Sequence, residues 1–341
     1  MDASPKAAWA GTFAWVPAII GAALGVVLIR IGFLGLLFLL PLGIMAYAYN
    51  TGTAWLCAAL AALGNGAFSL GVVLTFGYSS SAMGWDSFYF AAMVLIFTWV
   101  CAPPLRGPRF LRIPGIYRLC LGAVLGVLAL APMVGRGDNG LYSFLWTQAE
   151  TMASRYAESS GADVVQRSLL ERYLTADTIM EVLGFTALRG GAVASCIFLF
   201  FINRQAAMVL SGLIRRRRPG TSLARFHVAP KIIWGLSAAL LAVLVSSRLE
   251  ISPLEIAAWN ILVICGILYL AQGGGILLHF LAHPAVPPVL RGFLNLLFVM
   301  LILSPGINAV ALGVLILLGI AENWVPFRAL KINGSSSTPG V

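Results

Sequence analysis

Residues 254–283 read LEIAAWNILVICGILYLAQGGGILLHFLAH. The stretch is long enough to cross a bilayer, which takes roughly 20 predominantly apolar residues. It also carries Asn260, Tyr269 and Gln272 between its apolar runs. Polar side chains at membrane depth are costly, so they face protein or water rather than lipid. The stretch therefore predicts a helix in the middle of a transmembrane bundle.

The composition of the whole chain supports a membrane protein. Hydrophobic residues make up 60% of the 341 residues and charged residues only 10%, and the mean hydropathy is +0.93. No soluble domain needs this excess of apolar surface. The apolar run from Thr12 to Ile29 is longer than the core of a signal peptide and is followed at once by another, which indicates a retained first span.

Apolar runs separated by polar breaks predict an all-α polytopic bundle of about ten spans, within a range of eight to ten. The second, ninth and tenth runs are short, so one pair could be a hairpin or a broken helix. The predicted spans cover residues 12–29, 31–49, 53–77, 86–103, 117–134, 187–211, 231–247, 254–282, 288–304 and 306–322.

The spans divide the chain into four predicted regions. Residues 1–134 form a glycine-rich half of five spans, and residues 135–186 form an extracytoplasmic loop. Residues 187–331 form the second five-span half, and residues 332–341 form a polar tail that we expect to be disordered and cytoplasmic.

The net charge of +10 is concentrated in short loops that the ten-span arrangement places on one side. Lys and Arg accumulate in cytoplasmic loops, so both termini are predicted to be cytoplasmic. The run Arg215 to Arg218 fits a positive-inside signal that also touches anionic lipid. No nucleic-acid partner is expected, because the basic runs lack interleaved aromatic residues.

Within the outer loop, apolar residues recur at helical spacing and predict an amphipathic helix. Thr178 and Glu181 resemble a capping box, and Gly184 is read as a stop signal. The helix would either lie on the membrane interface or cover an outward-facing pocket. The apolar positions are Val165, Leu169, Tyr173, Ile179, Met180 and Leu183.

Catalytic and metal-binding motifs are missing from the sequence. It contains no HExxH, GxSxG or Walker A pattern, and ATP-driven movement would therefore need a separate ATPase subunit. The five cysteines lie in apolar runs without CxxC spacing, which favours small buried hydrophobic residues over disulfide or metal roles. No catalytic residue, cofactor or metal site is predicted.

Polar residues inside the spans are the best candidates for substrate binding: Asn65, Asn260, Tyr269, Gln272 and, between the first two spans, Arg30. Interhelical hydrogen bonding is the alternative role for the uncharged four, and Arg30 could instead extend to the membrane interface. Glu255 and Glu322 lie at span ends, where we expect their carboxylates to stay hydrated.

Three motifs carry a resemblance to the YybS-like family of bacterial multi-span membrane proteins, whose function is unknown. They are RFHVAPKIIW at residues 225–234, YLAQG at residues 269–273 and GIAENWVPFR at residues 319–328. The resemblance implies a bacterial cytoplasmic (inner) membrane. The glycine-rich opening spans are also similar in style to the substrate-binding S-components of energy-coupling-factor transporters, which implies solute binding with a separate energising partner.

Two functions follow as hypotheses. The protein binds or transports a small polar solute in a pocket lined by Asn65, Asn260, Tyr269 and Gln272, under the loop of residues 135–189. The alternative is a membrane scaffold or assembly factor for cell-envelope processes, with protein partners and no solute. An enzyme is the least favoured class, because no nucleophile, base or metal set converges.

Overall fold

A computed structural model describes residues 15–77, 80–101, 115–134, 146–151, 154–155, 175–215, 223–249, 252–283, 286–304 and 306–329. Across these residues the backbone is helical and contains no strand, which confirms the all-α prediction. The chain separates into two compact units, Met1–Pro219 and Gly220–Val341, called here the first and second unit. The sixth predicted span packs with the first unit.

Helices of the first unit follow the predicted spans closely. The helices are α1 (Trp15–Leu28), α2 (Leu40–Ile44), α3 (Thr51–Phe76), α4 (Ser80–Cys101), α5 (Gly115–Val134), α6 (Ala176–Thr186) and α7 (Ala192–Arg215). A 3₁₀ turn at Gly32–Leu37 precedes α2, and a π-helical turn at Met45–Tyr49 follows it. The second predicted span is therefore a broken helix, as its short length allowed.

The second unit contains α8 (Ile232–Leu249), α9 (Ser252–Leu281), α10 (Pro288–Leu303) and α11 (Ile307–Ala321). Helix α9 packs against both α8 and α11, so it is central within this unit, as the polar residues of its sequence predicted. A short segment that begins with the 3₁₀ turn Leu223–Arg225 also packs on α9.

Six helical segments of the described residues are long and apolar enough to cross a membrane, and four shorter apolar helices accompany them. Many large apolar side chains point outward, among them Leu74, Leu213 and Leu241, which are 77%, 70% and 62% exposed. Such surface is unfavourable in water and suits lipid. The protein is a multi-pass α-helical membrane protein.

The helix at the end of the predicted loop of residues 135–186 differs from its prediction. The side chain of Thr175 accepts the backbone N–H of Thr178 and caps α6, which begins at Ala176 and continues through Gly184. The capping-box and stop assignments were therefore wrong, because an earlier threonine supplies the cap. A bend at Gly190, whose φ of +105° suits glycine, joins α6 to α7. Residues 156–174, including the first half of the predicted amphipathic pattern, lie outside the described residues.

Close glycine contacts bring α9 and α11 together. A Cβ on Gly273 would overlap the backbone oxygen of Leu315, and one on Gly319 would overlap the backbone oxygen of Tyr269. Glycines at such positions let helix backbones approach closely in membranes. The five cysteines are all buried and none forms a disulfide, which confirms that they are small buried residues.

Candidate functional site

A polar cluster lies among the apolar helices of the first unit. The Nη2 of Arg30 donates a 2.7 Å hydrogen bond to Oδ1 of Asn65 and lies 3.5 Å from Oδ2 of Asp86. The guanidinium carbon is 4.8 Å from the ring centre of Phe68, a cation–π distance. Two predicted binding residues, Arg30 and Asn65, are thus in direct contact.

The first hairpin of the chain places Arg30 beside the middle of α3. Gly21 lies against Cys57, and Gly64 lies against Val26, so α1 and α3 run in parallel. Helix α1 ends at Leu28, and the chain then turns back with a φ of +35° at Gly32. Helix α3 continues for about 16 Å beyond Asn65, at 1.5 Å per residue. The guanidinium therefore approaches the middle of α3 and not its end.

Burial differs sharply between the members of this cluster. The Asn65 side chain is fully buried, and its Nδ2 has no hydrogen-bond partner among the described residues. The side chains of Arg30 and Asp86 are 35% and 46% exposed. A buried amide donor without a partner costs about 1–3 kcal/mol. The cluster therefore contains a partly exposed ion pair and, next to it, the buried Nδ2 donor of Asn65, which no described residue accepts.

In the second unit, Gln272 joins three segments of backbone. Its Oε1 accepts the N–H of Val228 at 2.6 Å, and its Nε2 donates to the carbonyl oxygen of Gly319 at 3.0 Å. The residue is fully buried. Both ends of the amide are therefore engaged with the protein, which favours the hydrogen-bonding role that the sequence left open.

The other two predicted residues of α9 are also engaged with the protein. Tyr269 is fully buried, and its hydroxyl lies 3.4 Å from Nδ2 of Asn323. Asn260 donates to the carbonyl oxygen of Ile256, one turn earlier in the same helix. Tyr269 and Gln272 both contact Gly319 of α11. The proposed pocket shared with Asn65 would involve both units and stays a prediction.

A buried carboxylate at the end of α11 was not among the predicted site residues. Glu322 has a side chain only 4% exposed, and its Oε1 lies 3.1 Å from Nε of Arg328. Its Oε2 lies 3.7 Å from Nδ1 of the half-exposed His227. The expectation that Glu322 stays hydrated is wrong, because residues that follow α11 and precede α8 cover it.

Arg328 holds this cluster on the backbone of neighbouring segments. Its Nη1 donates to the carbonyl oxygens of Ala224 at 2.9 Å and Phe226 at 2.8 Å. Its Nη2 donates to the carbonyl oxygen of Gln272 at 3.2 Å. The available sequence signal was the set of three motifs at residues 225–234, 269–273 and 319–328, which meet here although they are far apart in sequence.

In the comparison with known proteins, part of the chain matches a family of membrane proteins. Residues 180–321 match a family described as a predicted membrane protein (DUF2232). No curated protein and no solved structure matches the chain. The match supports a membrane protein of an uncharacterised family, and it ends immediately before the buried Glu322.

Proposed function

We propose that the protein binds a small polar solute at the cluster of Arg30, Asn65, Asp86 and Phe68 in the first unit. The observation that carries the proposal is the fully buried amide of Asn65, whose Nδ2 has no hydrogen-bond partner in the described part of the chain and lies beside a partly exposed ion pair. Ionisable side chains on apolar membrane helices mark solute or ion paths more often than surface charges do.

The position of the cluster along the helices strengthens this proposal. Helix α3 has 26 residues, about 39 Å at 1.5 Å per residue, so a span centred on the bilayer brings Asn65 near its middle. An arginine that only extended to the interface would direct its guanidinium away from that level. Arg30 instead donates to Asn65, which supports a polar site over simple interfacial anchoring.

The chemistry of these side chains defines the class of solute. The guanidinium of Arg30 and the Nδ2 of Asn65 supply donors for a carboxylate or carbonyl oxygen. The carboxylate of Asp86 can accept from an amine or hydroxyl, and the exposed face of Phe68 offers apolar contact. A small solute with both an acceptor and a donor group, such as an amino acid or a vitamin with a carboxylate, suits this arrangement.

The experiment is a thermal-shift screen of the detergent-purified protein against amino acids, vitamins, nucleosides and lipid precursors. A ligand at a hundredfold excess over its Kd stabilises the folded state by about 2.7 kcal/mol. We expect a saturable shift that N65L and R30Q abolish. D86N should still show a thermal shift with solutes that have only acceptor groups. It should show none with solutes that Asp86 recognises through an amine.

Matched controls separate the site from general effects on the fold. N260L removes an amide from a span of the second unit, and R248Q removes an exposed arginine at the end of α8; both should preserve the shift. An unchanged shift in N65L and R30Q would contradict the proposed site. A flat screen with folded protein would contradict solute binding and favour the scaffold alternative, which crosslinking for protein partners would then test.

Movement of the solute across the membrane is the second part of this proposal. Without a Walker A motif in the sequence, an ATP-driven step would depend on a separate ATPase partner, as in the transporters whose opening spans are similar in style. Uptake into proteoliposomes that contain the purified chain alone, compared with binding, distinguishes a binding subunit from a complete transporter.

A further inference from the structure

Two arginines of the first unit, Arg118 and Arg204, form a cluster apart from the one at Arg30. Arg204 of α7 donates from Nε to the hydroxyl of Tyr47 at 3.0 Å. Its Nη2 lies 2.9 Å from where a Cβ would stand on Gly115, the first residue of α5. Arg118 is one turn further along the same face of α5, and its Nη1 donates to the carbonyl oxygen of Trp99 at 3.4 Å.

The two guanidinium groups are neighbours of like charge. Gly115, beside Arg204, and Arg118 are three residues apart and share a helix face, and the charges of Arg118 and Arg204 are close enough to repel each other. Charges that are partly withdrawn from water need a counter-charge, because their desolvation is expensive. The Arg204 guanidinium, which lies beside a second positive charge, therefore favours an anion next to it.

The sequence supplies no acidic residue near this pair along the chain. No Asp or Glu occurs in residues 87–137, which contain Arg118, or in residues 182–249, which contain Arg204. Among the described residues, no carboxylate lies within ion-pair distance of Arg204. Its Nη1 and Nη2 also donate to none of them, so these two nitrogens remain available for a ligand.

The residues around this pair lie near the bounds of the described helical segments. Arg118 lies in the first turns of α5, Trp99 is two residues from the end of α4 at Cys101, and Tyr47 is two residues from the end of its π-helical turn at Tyr49. Arg204 itself lies inside α7, eleven residues before its last residue.

We propose that Arg118 and Arg204 form a binding site for a phosphate group, with Tyr47 positioning the guanidinium of Arg204. Arginine suits this ligand because its planar fork of N–H donors matches phosphate oxygens. The phosphate could belong to an anionic lipid headgroup or to a soluble phosphorylated compound, and the shared chemistry is the phosphate anion. The site is independent of the solute cluster at Arg30.

The test uses the full chain, purified in detergent and delipidated. One arm measures by native mass spectrometry how much phosphatidylglycerol, relative to phosphatidylcholine, the protein retains after incubation with each lipid. The other measures thermal shifts in inorganic phosphate against chloride at equal ionic strength. Selective retention of phosphatidylglycerol assigns a lipid headgroup, and a saturable phosphate shift without lipid selectivity assigns a soluble phosphorylated ligand.

Substitutions connect either signal to the two arginines. We expect R204Q and R118Q/R204Q to weaken binding about tenfold or more, because each removes charge-assisted hydrogen bonds. R248Q, outside the site, should bind as the wild type does. R204K retains the charge without the fork and should weaken binding less than R204Q, which keeps the test valid if R204Q folds poorly.

Y47F distinguishes the positioning role from a purely electrostatic one. It retains both positive charges and removes the hydroxyl that accepts from Nε of Arg204, so we expect a smaller loss of affinity than in R204Q. Equal binding by the wild type and R118Q/R204Q in both arms would overturn the proposal, as would the absence of any phosphate or lipid selectivity in the folded wild type.

Discussion

Glu322 and Arg328 form an ion pair in the second unit in which the carboxylate side chain is only 4% exposed and the guanidinium 16% exposed. Arg328 also donates to three backbone carbonyl oxygens, so one side chain connects the end of α11 to α9 and to the segment before α8. Breaking a buried pair costs more than the pair contributes, because the remaining charge stays buried without compensation.

We therefore predict that R328Q lowers the thermal stability of the detergent-purified protein strongly, by about 3–5 kcal/mol, the usual cost of leaving one buried charge unpaired. E322Q/R328Q removes both charges and should recover part of that loss. Melting curves of the wild type, both single variants and the double variant provide the coupling free energy. Additive losses in this cycle would show that the two residues do not stabilise each other.

Replacing Gln272 tests whether its amide stabilises the fold or binds a ligand. Q272L leaves the N–H of Val228 and the carbonyl oxygen of Gly319 buried without their partner, each at a cost of about 1–3 kcal/mol. We expect a clear loss of thermal stability without any ligand. N260L is the matched control in the same helix. Similar melting temperatures for Q272L and N260L would contradict the structural role of Gln272.

Most of the fold follows from the sequence because apolar runs and their polar breaks determine helices directly. The side chains that meet in space were harder to predict. Arg30 and Asn65 were both selected as polar residues in apolar surroundings, but their contact depends on the parallel packing of α1 and α3. Glu322 was assigned to water because it ends a span, and the segments that cover it come from elsewhere in the chain.

The predicted orientation of the chain can be measured directly. Positive residues in the short loops predict that the tail is cytoplasmic and that the loop of residues 135–186 lies outside. S336C and S143C introduce single thiols into these segments, and the five native cysteines are buried. In intact cells, a membrane-impermeant maleimide should label S143C and should label S336C only after permeabilisation. The reverse pattern would contradict the orientation.

The glycines between α9 and α11 lead to a prediction with a control in α9. A Cβ on Gly273 would overlap the backbone of Leu315, and backbone cannot move aside as a flexible side chain can. G273A should therefore force the helices apart, at a cost of about 1–3 kcal/mol for overpacking. Gly266, in the same helix, has its nearest atom at 4.0 Å, and G266A should be neutral or slightly stabilising, since alanine favours helix. Thermal melting in detergent measures both, and equal melting temperatures would show that this contact does not hold α9 against α11.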